Sequence, residues 1–350
     1  MNKKACVTGI TGQDGSYLAE NLISRGYEVV GLHRRNSTNN FGRINHLIGH
    51  KLFHLQEFDI TDPSCVSQIV IQNDPDEFYN LAAQSHVGTS FKQPSTTFNI
   101  NTCGVVNILE AIRNYNPGIR FYQASTSEMF GCNFSFDEKQ GKYQDEETPF
   151  SPQSPYAVAK VASHHTVKLY RDSYGLYACS GILFNHESPR RGENFVTRKI
   201  TKYIGRLINN KLVESNEKLK LGNIYSYRDW GHAKDYVRSM WMMLQHDIPD
   251  DYVVSMERQY SVRDFVNVAC EYIGFDIEWS GSGIDEVAID KKTNKVLVQI
   301  NPDYYRPAEV ESLVGDCTKA KKVLGWKPEY TFESLVEEMC KFDLEAARVR

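Results

Sequence analysis

A short β-branched run, ACVT, is followed by glycines at 9, 12 and 15 and then by the helical pattern SYLAENLI. A strand that feeds a helix through so tight a turn sends that helix back across a sheet face, so the next strand must lie parallel to the first. The first half of the chain repeats the unit. YEVVGLH, FHLQEFDI, EFYNLAA, IRFYQAST and YACSGILFN alternate with the helical patterns DPSCVSQIVIQN, NTCGVVNILEAIRNY and YAVAKVASHHTVKLYRDSYG. This alternation predicts an α/β fold, a Rossmann-type doubly wound parallel sheet with helices on both faces. Beyond residue 186 the pattern weakens into a basic helix, NFVTRKITKYIGRLI, and short strands such as VLVQI. Residues 1–185 therefore read mainly as a dinucleotide-binding domain. Residues 186–350 read mainly as a smaller mixed α/β substrate-binding domain, with an interleaved boundary.

Composition narrows the function classes. The 350 residues carry a net charge of −4 with no basic block, which argues against a nucleic-acid partner. The opening apolar run is too short for a signal peptide and no run is long enough to span a bilayer, so a soluble, cytoplasmic protein with no membrane partner is expected. Eight scattered cysteines without a CxxC pair read as reduced thiols. His164 and His165 are adjacent on a helical pattern and so point apart; with no third ligand in view, no metal is expected.

The glycine spacing is GxxGxxG, one residue longer at the front than the common dinucleotide fingerprint. Alone, such a triplet is equally loop punctuation. Placed between a strand and a helix, it favours a pyrophosphate lying against the helix N-terminus. At the end of the second strand, where an acid would hold a ribose 2′-hydroxyl, stand Arg34 and Arg35, and arginine there accommodates a 2′-phosphate. The expected cofactor is NADP. Asp59 ends the third strand as a plausible adenine partner, and NLAAQS (80–85) closes the fourth at the crevice; capping roles compete for each.

Two further motifs carry chemistry. SPYAVAK puts Tyr156 and Lys160 one helical turn apart, where an ammonium is expected to lower a phenol pKa from its usual value near ~10 toward that of a general base. An ordinary surface tyrosine beside a surface lysine is the bland alternative. QASTSEMFG brings Thr126 and Glu128 to the carboxyl edge of the fifth strand. There a hydroxyl could hold a substrate oxygen and a carboxylate could take a proton from carbon. Equally, Ser125, Thr126 and Ser127 could cap the next turn, with Glu128 completing it.

Read together, GITGQDGSYLAE, RRNSTNNFGRI, NLAAQSHV, YQASTSEMFG, SPYAVAK, ILFNHESPRRGENFVTRKI, LGNIYSYRDWGHAKDYV and YYRPAEVESLVGDCTKAKKVLGWKP resemble the GDP-mannose 4,6-dehydratase family of extended short-chain dehydrogenase/reductases. The likeness runs from about residue 3 to 340. It implies conversion of GDP-mannose to GDP-4-keto-6-deoxymannose, a step toward GDP-fucose or GDP-rhamnose, by C4 oxidation, loss of water across C5 and C6, and hydride return to C6. The implied catalytic residues are Thr126, Glu128, Tyr156 and Lys160. Gly9, Thr11, Gly12, Gln13, Asp14, Gly15, Arg34, Arg35, Asn36, Ser37, Asp59, Ile60, Leu81, Ala82, Ala83, Ser85, His186 and Arg191 would join Tyr156 and Lys160 at the cofactor. Ser85, Asn185, Lys199, Arg228, Arg306 and Glu309 would hold the GDP-sugar. The loop RRNSTNNFGRI would reach a neighbouring subunit's cofactor site, implying a homotetramer, with a dimer as the smaller alternative.

Two departures stand out. CNFSFDEKQGKYQDEET (132–148) is longer than the resemblance leads one to expect and is either a reshaping of the sugar pocket, a lid, or a solvated excursion. Thr96 stands where the family tends to have a tyrosine near the cofactor, which would loosen its retention. The rival readings are a related nucleotide-sugar epimerase or reductase, and a catalytically silent NADP-binding regulator. Glu128 argues against simple epimerisation, and the full set Thr126, Glu128, Tyr156 and Lys160 argues against silence.

Overall fold

The computed structural model describes residues 2–139, 141–208, 217–305 and 310–348. Seven strands form one parallel sheet in the spatial order Asp251–Val254, Ala178–Leu183, Arg120–Ala124, Glu77–Asn80, Lys4–Thr8, Glu28–His33, Phe53–Glu57. The first strand sits inside the sheet and the order reverses beside it, which opens a crevice at the carboxyl ends of the strands.

Local chemistry sets the helix ends. Asp62 accepts from the backbone N–H groups of Ser64 and Cys65 ahead of Pro63, starting the helix Pro63–Asn73. Ser154 accepts from the Ala157 N–H ahead of Pro155, and Gly175 in the left-handed region (φ 68°) ends the helix Pro155–Tyr174.

Each sheet face is covered by its own apolar layer. Helix Gln13–Ser24 packs with helix Ala233–Gln245 through Leu18, Leu22, Tyr236, Met240 and Trp326 on one face. Val66, Val70, Ile108, Leu109 and Val167 fill the other. Residues beyond 186 thus return to this sheet twice, as the helix Ala233–Gln245 and the edge strand Asp251–Val254. The remaining layer holds a four-stranded sheet (Leu219–Leu221, Lys295–Ile300, Val287–Asp290, Ile277–Ser280) and a three-stranded one (Gln259–Ser261, Tyr227–His232, Asn185–Glu187). Its core is aromatic: Trp230 stacks on Phe332 and meets Phe265 edge-on.

None of the described residues of the segment 132–148 lines the crevice. Its described residues form a hairpin, Ser135–Asp137 with Gly141–Tyr143, and then dock on the sheet edge. Gln144 bridges to Gly315, and the Glu146 carboxylate accepts the Val253 N–H at 2.7 Å. The hairpin is a solvated excursion, with Phe136 to Lys139 exposed, while Gln144 and Glu146 cap a strand that would otherwise present unpaired backbone groups.

Candidate active site

A cavity of about 1390 Å³ runs along the carboxyl edge of the seven-stranded sheet and out against the second layer. Its inner end is the glycine turn. Gly9 has φ +66°, a conformation costly for any other residue, and a Cβ on Gly15 would stand 2.4 Å from the Gly9 carbonyl oxygen. Only glycine fits this cradle. Gly12, the N-cap of helix Gln13–Ser24, leaves that helix's first N–H groups without a side-chain cap, the arrangement that receives an anion.

Behind the turn, Thr8 Oγ1 accepts from the Leu81 and Ala82 N–H groups (2.9 Å each) and donates to Asn80 Oδ1 (2.7 Å). Asn80 Nδ2 donates to Gln123 Oε1 at 2.8 Å. Thr8 and Gln123 are missed by motif reading, although a signal exists: KACVT, EFYN and RFYQA each carry a hydrogen-bonding residue at or next to the end of an apolar strand.

Most residues singled out from the sequence meet here. The turn residues Gly9, Thr11, Gly12, Gln13, Asp14 and Gly15 line the cavity, as do Arg34, Asn36, Asp59, Ile60, Leu81, Ala82, Ala83 and Ser85. Arg35 and Ser37 do not: both are exposed and stand off its wall. A strand end followed by an open loop turns successive side chains in different directions, so only part of RRNS faces inward. Asp59 accepts from the Thr61 N–H and Oγ1, which holds its carboxyl below the usual range, with help from the Arg34 charge. Arg43, part of the loop RRNSTNNFGRI but not singled out within it, also lines the cavity, donating to the carbonyls of Thr11 (3.2 Å) and Arg190 (2.7 Å).

Thr126, Glu128, Tyr156 and Lys160 share one wall. Thr126 takes the capping role foreseen for it, its Oγ1 accepting the Glu128 N–H at 3.3 Å at the start of a short turn, and it also lines the cavity. Tyr156 and Lys160 depart from expectation. Burial pushes the Tyr156 phenol up to about 12, against the Thr126 hydroxyl, which lowers it, while the Glu128 charge raises it further. The Lys160 ammonium does not offset this, because Nζ donates to the Ala124 carbonyl at 2.7 Å and lies 5.9 Å from the Tyr156 ring centroid. Burial alone pushes Lys160 down to about 8.

The outer wall brings in Asn185, His186, Arg191, Lys199 and Arg228. His186 Nε2 lies 2.8 Å from Asp14 Oδ2, and Arg191 pairs with the buried Glu187 at 3.1 Å. Lys199 Nζ sits 5.1 Å from the Tyr304 ring centroid, and Arg228 Nη1 donates to the Tyr227 carbonyl. Arg306 and Glu309 lie outside the described residues. Lys220, Asn223 and Tyr304 also line the rim; Asn223 and Tyr304 fall within the quoted motifs LGNIYSYRDWGHAKDYV and YYRPAEV but are not singled out there. Among the described residues the His164–His165 pair joins no group of three or more possible metal ligands: His164 Nδ1 meets Ser125 Oγ (3.1 Å), Nε2 lies 3.8 Å from Asp251, and His165 packs on Phe150.

The sheet order, the glycine cradle and the Tyr-Lys-Thr wall define a class: a Rossmann-fold protein built like the extended short-chain dehydrogenase/reductases. Solved structures agree on the fold. UDP-glucose 4-epimerase of Thermotoga maritima superposes with a TM-score of 0.80 at 22% identity, covering 98% of this chain and 99% of that one. dTDP-glucose 4,6-dehydratase of Bacillus anthracis gives 0.79 at 19%, covering 99% and 98%. The family model described as GDP-mannose 4,6 dehydratase matches residues 6–339. GDP-mannose 4,6-dehydratase of Yersinia enterocolitica is 49% identical over 99% of this chain and 95% of its own length. The human enzyme is 46% identical over 98% and 92%. The chain belongs to the GDP-mannose 4,6-dehydratase family.

Proposed function

We propose that the protein converts GDP-mannose to GDP-4-keto-6-deoxymannose and water with NADP as its resident cofactor, in the cytoplasm, ahead of GDP-fucose or GDP-rhamnose formation. The observation that carries this reading is the convergence of Tyr156, Thr126 and Glu128 on the cavity wall that also holds the glycine cradle. The cradle fits a dinucleotide pyrophosphate, Arg34 stands at the end of the second strand where a 2′-phosphate would lie, and Asp59 and Ser85 would flank it. Arg35 and Ser37, exposed on the loop, would reach the cofactor of a neighbouring subunit in a homotetramer.

Bound NADP would supply the hydride acceptor for C4 and the donor for C6. Tyr156 would take the 4-hydroxyl proton while Thr126 holds the same oxygen. A phenol near 12 is almost wholly protonated at neutral pH, so positive charge entering the cleft would have to lower its pKa for the phenolate to act as base, as the Thr126 hydrogen bond already does in part. Once C4 is a ketone, the C5 proton is acidic, and Glu128, two residues from Thr126, would remove it and pass it to the departing C6 hydroxyl. The Tyr156 proton would then serve C5, which closes the proton balance. Asn185, Lys199 and Arg228, with Arg306 and Glu309, would hold the GDP, arginine offering planar donors to phosphate.

The test is proton NMR of GDP-mannose incubated with the protein and substoichiometric NADP. A new C6 methyl signal without net NADPH accumulation is expected. Binding of GDP-mannose with no methyl signal would overturn the reading in favour of an epimerase or a silent binder.

A further inference from the structure

Both nitrogens of the His186 ring meet an oxygen partner. Nδ1 lies 2.8 Å from the Phe184 carbonyl and Nε2 lies 2.8 Å from Asp14 Oδ2. A carbonyl has no proton to give, so Nδ1 carries one. Asp14 is occupied on both oxygens: Gln13 Nε2 donates to Oδ1 at 3.0 Å. The orientation of Gln13 is fixed, because its Oε1 accepts from Ser188 Oγ at 2.7 Å while its Nε2 also donates to the His186 carbonyl at 3.1 Å. His186 also holds the Asp14 carboxyl below its ordinary range, so Asp14 is the ionised acceptor and Nε2 donates to it. The ring holds two protons.

We propose that His186 is a fixed imidazolium and that Asp14 is its positioning residue, the pair forming a clasp between the glycine turn and the strand Asn185–Glu187. The clasp joins the two halves of the cleft: Asp14 opens the helix after the turn, and His186 sits between Asn185 and Arg191 on the outer wall. The ring stacks on Tyr236 of helix Ala233–Gln245, centroids 4.6 Å apart, so that it cannot swing away easily.

The charged and titratable groups around it are Asp14 on one side, Arg191 from the following turn, Tyr236 beneath, and Tyr156 across the cleft, which senses both Asp14 and Arg191. Burial opposes the charge on His186, but Asp14 prevails and its pKa is raised; that of Asp14 is correspondingly lowered by His186. The clasp is thus fully present below the ordinary imidazole pKa and is lost as pH rises through the raised value. Above that point Asp14 stands as a bare carboxylate beside the turn, facing the phosphates of a dinucleotide. This consequence rests on the cofactor reading; the charge state of the ring does not.

Long-range proton–nitrogen NMR of the full chain labelled with ¹⁵N-histidine, without cofactor, tests the ring directly, with His186→Gln used for assignment. Both ring nitrogens of His186 are expected to carry protons at pH 7 to 8, and Asp14→Asn is expected to return the ring to ordinary or lower titration while Asp14→Glu preserves it. A singly protonated His186 at pH 7 in the unaltered protein would overturn the proposal whatever the variants do. Titration of NADP then reads the function. Affinity of the unaltered protein should fall about fivefold across the pH range in which the ring is seen to lose its second proton, the effect of one uncompensated unit charge nearby, while Asp14→Asn should bind with a flat profile. Parallel profiles would remove the role of the clasp in binding. Absence of NADP binding at pH 6.5 would instead count against the cofactor reading and leave the ring result standing.

Discussion

Lys160 and His186 line one cleft, and burial penalises the positive charge on both, yet they shift in opposite directions. Lys160 donates to a neutral carbonyl and is pushed down to about 8; His186 faces a carboxylate and is raised. His164 extends the series: buried, with Asp251 3.8 Å away and already clamped by Arg171, it is pushed down to about 4. The pKa of a buried cation is raised here only where an ionised acceptor lies within hydrogen-bond reach. One wall is therefore built to hold charge in place, and the other to let it move.

The largest effect should come from the mobile wall. Tyr156→Phe or Lys160→Met is expected to cut formation of the C6 methyl product by about 10²–10⁴ with the fold intact by circular dichroism; retention of most of the rate would mean that the comparison has been drawn around the wrong residues. Next comes cofactor choice. Arg34→Glu should shift the preference for NADP over NAD by about ten- to a hundredfold, through loss of a charge-assisted contact, read from paired titrations of the two dinucleotides.

A subtler experiment isolates the lysine. With its folded pKa near 8 and its ordinary value at 10.5, the unfolded chain binds more protons across that window, so stability rises with pH there. Urea midpoints from pH 8 to 10.5 should show that rise in the unaltered protein and lose it in Lys160→Met; identical slopes would indicate an ammonium less isolated than the geometry states. The smallest effect belongs outside the cleft. Glu146, pushed up to about 7 by burial, makes the fold bind more protons than the unfolded chain between pH 4.5 and 7, so stability falls as pH rises through that range. Glu146→Gln should flatten that fall without changing turnover, and a loss of activity would bring the 132–148 segment back into the catalytic account.

Much of this molecule was legible in the sequence because much of it is local. Strand and helix alternation, the three-residue glycine spacing, the Ser154-Pro155 helix start and the one-turn separation of Tyr156 from Lys160 all follow from periods of two and 3.6 residues and from the conformations glycine and proline allow. The parallel order could be reasoned from the same pattern, since a strand feeding a right-handed crossover has few places to go. Even Thr126, torn between capping and chemistry, could be placed at the crevice edge by counting from its strand.

What the tertiary structure decided is how charge is held, and the reason is distance along the chain. Asp14 and His186 stand 172 residues apart, Lys160 and the Ala124 carbonyl 36, Glu146 and Val253 107. No periodicity links such positions. Whether a buried lysine finds a carboxylate or only a carbonyl depends on which strands become neighbours, and that choice leaves the Tyr156 phenol raised rather than lowered. Folding also turned the end of a long insertion into an edge cap and set Arg35 and Ser37 off the cavity wall. The sequence by itself determined which chemical groups are present and the local turns that carry them; folding alone determined which of them keep their protons.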